Sequence, residues 1–117
     1  MLLKDIAEHS AFTSLTPQLP VDSTAEVHKA YASDLLSDVI GNAPAGGVLI
    51  TVQVHANVIA VASLATQQAI IFALGRKPDE ETCTKAAEEG IHLFTSTQPA
   101  FESAGQLYEA GVRGLDA

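Results

Sequence analysis

Val48-Leu49-Ile50-Thr51-Val52-Gln53-Val54 is short, β-branched and uncharged, the composition of a strand enclosed on both faces. It lies within a run from Val39 to Gly75 that contains no Asp, Glu, Lys or Arg. Downstream, Val58-Ile59-Ala60-Val61-Ala62-Ser63-Leu64 has helical content and Ala69-Ile70-Ile71-Phe72-Ala73 reads as a second buried strand. Strand, helix and strand in that order make a parallel, right-handed crossover. Its first turn, at His55 and Asn57, falls where ligands bind in open α/β sheets. The pattern predicts a parallel-containing sheet with helices on both faces, and burial of Ile50, Val52, Ile59, Ala62, Ile71 and Phe72.

Working outward, Leu2, Leu3, Ile6 and Ala7 predict a short helix over residues 2–9, leading into a strand near Phe12 to Leu15. Thr16-Pro17-Gln18-Leu19-Pro20 breaks regular structure. Ala25 to Tyr31 is a strand candidate for a sheet edge. Ser33 reads as the N-cap of a helix with Leu35, Leu36, Val39 and Ile40 on one face and Gly41 as its stop. On the far side, a helix is expected from about Asp79 to Glu89, acidic in its first turn and ended by Gly90. Ile91 to Phe94 is the next strand. Phe101, Ala104, Leu107, Tyr108 and Val112 keep the spacing of a final amphipathic helix. No repeat or linker divides the chain, so residues 1–117 read as one domain.

The chain has 117 residues, with 14 acidic against 6 basic side chains and a net charge of −8. Such a field repels nucleic acid and anionic lipid, so neither is an expected partner. Charge at Lys4 and Asp5 precludes a signal peptide, and Gln53, His55, Asn57, Gln67 and Gln68 break up the uncharged run before it can span a bilayer. The single Cys83 fits a reducing compartment, and the expected location is cytoplasmic.

Tyr31-Ala32-Ser33-Asp34-Leu35-Leu36-Ser37-Asp38-Val39-Ile40-Gly41-Asn42-Ala43 and Ile50-Thr51-Val52-Gln53-Val54-His55-Ala56-Asn57-Val58-Ile59-Ala60-Val61-Ala62 together resemble a DRTGG domain. Gly75, the helix from Asp79 to Gly90, and Thr95 followed by Phe101, Ala104, Gly105, Leu107 and Tyr108 extend the similarity over nearly the whole chain. The paired glycines of the family name have no counterpart near Val27-His28-Lys29-Ala30-Tyr31. The resemblance implies a three-layer α/β/α domain with a mostly parallel sheet of four or five strands, similar to the N-terminal domain of HPr kinase/phosphorylase. It further implies a regulatory and oligomeric role instead of a catalytic one.

The residues agree in lacking catalytic machinery. No Gly-x-x-x-x-Gly-Lys-Ser/Thr phosphate loop and no Gly-x-Ser-x-Gly elbow occur, so the chain is expected neither to phosphorylate HPr nor to hydrolyse ATP. His9, His28, His55 and His92 are scattered and Cys83 stands alone, which leaves no metal-ligand spacing and no expected cofactor. The binding candidates are the strand-end residues Gln53, His55 and Asn57, then Arg76, then Thr95, Ser96 and Thr97, which should converge on one sheet edge. Ser33 and Asp34 join them from the preceding strand end. Each has a structural reading too: Asn57, Ser33 and the hydroxyl cluster as helix caps, Asp34 as a first-turn acid, His55 as a partly buried imidazole, Gln53 as a strand packing residue, and Arg76 as a solvated cation. The expected protein is therefore a non-enzymatic regulatory or adaptor domain with a small anionic or nucleotide-like ligand. The alternatives are an interaction module with a protein partner and no ligand, or a small enzyme using His55 as general base. The apolar surface implied by the uncharged run predicts a homo-oligomer, most simply a dimer.

Overall fold

The computed structural model describes residues 1–115. Five strands form one mixed, mostly parallel sheet: β1 (Phe12–Ser14), β2 (Ala30–Ala32), β3 (Val48–Thr51), β4 (Ala69–Phe72) and β5 (His92–Ser96). Their spatial order is β1-β5-β4-β3-β2, with β1 antiparallel to β5 and every other pairing parallel. The helices are α1 (Leu3–Glu8), α2 (Leu36–Asn42), α3 (Asn57–Leu64), α4 (Glu80–Glu88) and α5 (Ala100–Glu109). Each parallel step is thus a strand, a helix and the adjacent strand, the connection that parallel pairing requires.

Every residue of β3, β4 and β5 is buried, as the uncharged, largely apolar β3 and β4 demand, and β5 buries the polar His92, Thr95 and Ser96 beside Leu93 and Phe94. Their side chains alternate between two clusters. Leu49, Ile70, Phe72 and Leu93 join Val39 of α2, Val58, Ile59, Val61 and Ala62 of α3, and Ala86 of α4. Val48, Ile50, Ala69, Ile71 and Phe94 join Leu3 and Ile6 of α1 and Leu107 of α5. Of the six residues expected in the core, Ile50, Ile59, Ala62, Ile71 and Phe72 are buried. Val52 is only half-buried because β3 ends one residue before it.

That early end has a local cause. The Asp34 carboxylate accepts the Val52 N–H at 2.8 Å and the Thr51 hydroxyl at 2.9 Å, so a side chain takes over from the ladder where Val52 to Val54 would have continued it. Asp34 is accordingly not a first-turn acid, and Ser33 is not the N-cap: Leu35 holds that position, and the Ser33 Oγ accepts the Leu35 N–H at 3.2 Å. The helix α2 runs through Gly41 and ends before Pro44, whose ring disfavours helical backbone at Ala43. With only seven residues it buries Val39 and leaves Leu35 and Ile40 exposed.

The edge strand is also displaced from the Ala25 to Tyr31 candidate, although its edge position is as expected. Backbone groups before Lys29 are committed elsewhere: Ala25 O accepts from Leu3 N, Val27 N donates to Met1 O, and His28 O accepts from Arg113 N. Pairing with β3 begins only at the Lys29 carbonyl, which accepts the Val48 N–H, and runs through Ala30 to Ala32. At the other end α4 follows the sequence closely, with Asp79 as N-cap accepting the Thr82 N–H at 2.8 Å and Gly90 leaving at φ +77°. Among the described residues no helix is long and apolar enough to cross a membrane.

Candidate functional site

Two loops that leave neighbouring parallel strands meet at the carboxyl edge of the sheet. Gln53, Val54, His55 and Ala56 from the β3–α3 loop face Arg76, Lys77, Pro78 and Asp79 from the β4–α4 loop across an open depression of about 500 Å³, within the size range of small-ligand sites. Both loops are held from beneath. Gln53 donates its side-chain amide to the Asp34 carbonyl at 3.0 Å and its backbone N–H to the Thr51 hydroxyl at 3.1 Å.

Arg76 is placed by an unusual turn. Leu74 and Gly75 have φ of +61° and +67°, and the turn closes through Arg76 N–H to Ala73 O at 3.2 Å. A leucine in the left-handed region costs roughly 1–2 kcal/mol, and such strain persists only where surrounding bonds over-determine it. Here Leu74 N–H donates to Gln98 O at 2.9 Å and Gly75 N–H to Ser96 O at 2.6 Å. The buried Thr95 hydroxyl then donates to Arg76 O at 2.8 Å.

His55 is exposed, not partly buried. Its Nδ1 accepts the Asn57 N–H at 3.1 Å, which leaves the proton of the neutral ring on Nε2 and makes that nitrogen a donor. Asn57 is consequently not the N-cap of α3; Ala56 occupies that position in helical backbone. The next two amides are used as well, Val58 N–H by His55 O and Ile59 N–H by Ala56 O. The opening of α3 therefore offers no free backbone donor from these three residues, and anion affinity at this depression falls to side chains.

Those side chains are cationic. Arg76 and Lys77 are exposed, and among the described residues neither makes an ion pair. Asp79 is the one acid lining the depression, and hydrogen bonds from the side chain and backbone N–H of Thr82 hold its carboxyl below the usual range. It is ionised and engaged as a cap. Burial first, then the Asp79 and Glu80 carboxylates, push the thiol of nearby Cys83 up, which disfavours its thiolate.

Of the sequence candidates, the structure brings Gln53, His55 and Arg76 together. Asn57 does not line the depression. Thr95 and Ser96 are buried, and their hydroxyls face inward: Ser96 Oγ accepts Gln98 N–H at 3.2 Å and the Ser103 hydroxyl at 3.1 Å. Thr97 is exposed but lies outside the depression, as do Ser33 and Asp34. Lys77 and Asp79 are the additions. The signal for Lys77 was its place beside Arg76, two adjacent cations in a chain with only 6. Comparison of the chain with protein-family models and with curated proteins gives no match.

Proposed function

We propose that this chain is a non-catalytic regulatory domain of the DRTGG type, which self-associates and binds a small anionic or nucleotide-like ligand between the β3–α3 and β4–α4 loops. In this reading it has the three-layer α/β/α build of the HPr kinase N-terminal domain and works in the cytoplasm, which the single Cys83 supports. The observation that carries the ligand is the meeting of Arg76, Lys77 and the His55 Nε2–H donor in one depression, in a protein whose net charge is −8. Positive charge concentrated there, against an acidic remainder, gives an anion a place to settle. The roles divide accordingly. Arg76 clamps two oxygens through its planar fork, Lys77 adds a mobile point charge, and His55 fixes orientation with a directional hydrogen bond.

Thermal unfolding in the presence of inorganic pyrophosphate and, separately, adenosine nucleotides tests the site. A ligand present at about 100 times its Kd adds about 2.7 kcal/mol to the folded state, which raises the melting temperature measurably. Because Arg76 and Lys77 are exposed, the Arg76→Ala/Lys77→Ala double variant should melt like the parent without ligand and show no shift with it. A shift that persists undiminished in the double variant would place the anion elsewhere. No shift with any of these anions in the parent protein would remove the ligand from the proposal.

A further inference from the structure

The loop that carries His55 is fastened to a residue at the end of the neighbouring strand. Asp34 follows β2, is exposed, and lies outside the depression. Through one carboxylate oxygen, Oδ1, it accepts the Val52 N–H at 2.8 Å and the Thr51 hydroxyl at 2.9 Å. The second bond reaches further along the chain. With its proton turned toward Asp34, the buried Thr51 Oγ1 keeps its lone pairs free and accepts the Gln53 N–H at 3.1 Å. Both amides at the start of the β3–α3 loop are thus fixed by a single side chain, one directly and one through Thr51. Among the described residues they meet no other acceptor.

From this arrangement we infer that Asp34 is a positioning residue of the anion site, which sets the course of the loop from Val52 to His55 and so aims the His55 Nε2–H donor across the depression at an anion that Asp34 itself does not touch. This role presupposes the ligand half of the proposed function. The two walls of the depression are then anchored separately. Asp34 holds the His55 wall, whereas the Arg76 wall is held by the Thr95 hydroxyl of β5, which donates to Arg76 O at 2.8 Å. A change at Asp34 therefore disturbs His55 and leaves Arg76 and Lys77 in place.

The sign of the effect separates positioning from electrostatics. Asp34 is an acid at the same sheet edge as the anion, so by charge alone its removal would tighten anion binding. By position its removal weakens binding. An exposed charge on a neighbouring loop is largely screened, whereas a hydrogen bond to a charged group is worth about tenfold in affinity, so positioning wins.

Calorimetric titration with inorganic pyrophosphate tests the role on the parent chain, Asp34→Ala, Asp34→Asn, His55→Ala and the Asp34→Ala/His55→Ala pair. Folding is not at risk, because Asp34 is exposed and leaves no cavity. Asp34→Ala should bind about tenfold more weakly than the parent. Asp34→Asn keeps a carbonyl oxygen for the same two donors and should bind at least as tightly as the parent. In the His55→Ala background Asp34→Ala should cost nothing further, since both act through one donor. Amide relaxation of the ligand-free proteins adds a readout that needs no anion: Gln53 to Ala56 should lose order in Asp34→Ala, while Arg76 and Lys77 keep theirs. Undiminished pyrophosphate binding by Asp34→Ala, or a loop as ordered as the parent's, would overturn the positioning role and leave the anion site standing. A parent chain that binds no pyrophosphate would instead overturn the site, and the role of Asp34 with it.

Discussion

Phe72→Ala should destabilise the protein by about 3–5 kcal/mol, the cost of deleting a fully buried aromatic ring and leaving part of its volume as a cavity. Phe72 is 0% exposed and ends β4, the central strand. Its backbone pairs with Thr51 on one side and Thr95 on the other. Its ring joins the cluster that α2, α3 and α4 build against the sheet, so no solvent or mobile loop is at hand to fill the gap. For a domain with a total stability of 5–15 kcal/mol, the loss is a large fraction of the whole. Urea denaturation reads it directly as a fall in midpoint at constant slope. The exposed Phe101→Ala serves as reference and should change stability by no more than about 0.5 kcal/mol. A loss below about 1 kcal/mol for Phe72→Ala would contradict the packing described.

Gly47→Ala is expected to cost about 1–3 kcal/mol, the range for forcing atoms into a filled space. The added methyl would sit 2.9 Å from Pro44 O and 3.0 Å from Lys29 O, with the Gln67 Oε1 at 3.3 Å. Neither carbonyl can retreat without breaking bonds. Pro44 O accepts Gly47 N–H at 3.1 Å and the Gln67 amide at 2.8 Å, while Lys29 O accepts Val48 N–H at 3.0 Å, the first link between β2 and β3. The same denaturation measurement on Gly105→Ala should show the opposite sign, a gain of roughly 0.5–1 kcal/mol, since a helical glycine in open space carries only an entropic cost. Equal effects at the two positions would mean that the crowding at Gly47 is relieved by movement of the backbone.

The sheet interior was legible in the sequence because β3 and β4 are uncharged and β-branched, and only burial on both faces accounts for such segments. Their limits were less so: nothing local in Val52-Gln53-Val54 announces that Asp34 will replace the ladder at Val52. The spacing of Phe101, Ala104, Leu107, Tyr108 and Val112 marked α5 without fixing which of its faces is buried. Phe101 and Tyr108 are apolar at helical spacing, whereas the buried side includes Ser103, whose hydroxyl is satisfied by Ser96. Hydrophobic periodicity cannot separate a stripe that meets the protein's own core from one left for another surface.

The candidate site was legible to the level of the sheet edge. Topology brings His55 and Arg76 to adjacent loops at the carboxyl ends of β3 and β4, because each follows a parallel strand of the same sheet. Topology does not say which way a hydroxyl turns, and Thr95 and Ser96 turn inward to fasten the Leu74–Gly75 turn and the loop before α5. Their contribution is to hold the backbone that carries Arg76 in position. The adjacent Lys77 lines the depression directly.

The lone antiparallel strand carries a kinetic consequence. Parallel neighbours such as Val48 with Ala69, or Ala69 with His92, lie one helix apart along the chain. By contrast, β1 joins Phe12 to Ser96, a loop about four times longer, whose closure costs roughly 1.2 kcal/mol more entropy. The three crossover units can therefore condense before the amino-terminal arm docks, and the arm can lift away while they remain intact. Amide protons in β3 and β4 should then exchange only through global unfolding, while the Leu15 N–H, bonded across to Leu93 O, exchanges through a cheaper, partial opening.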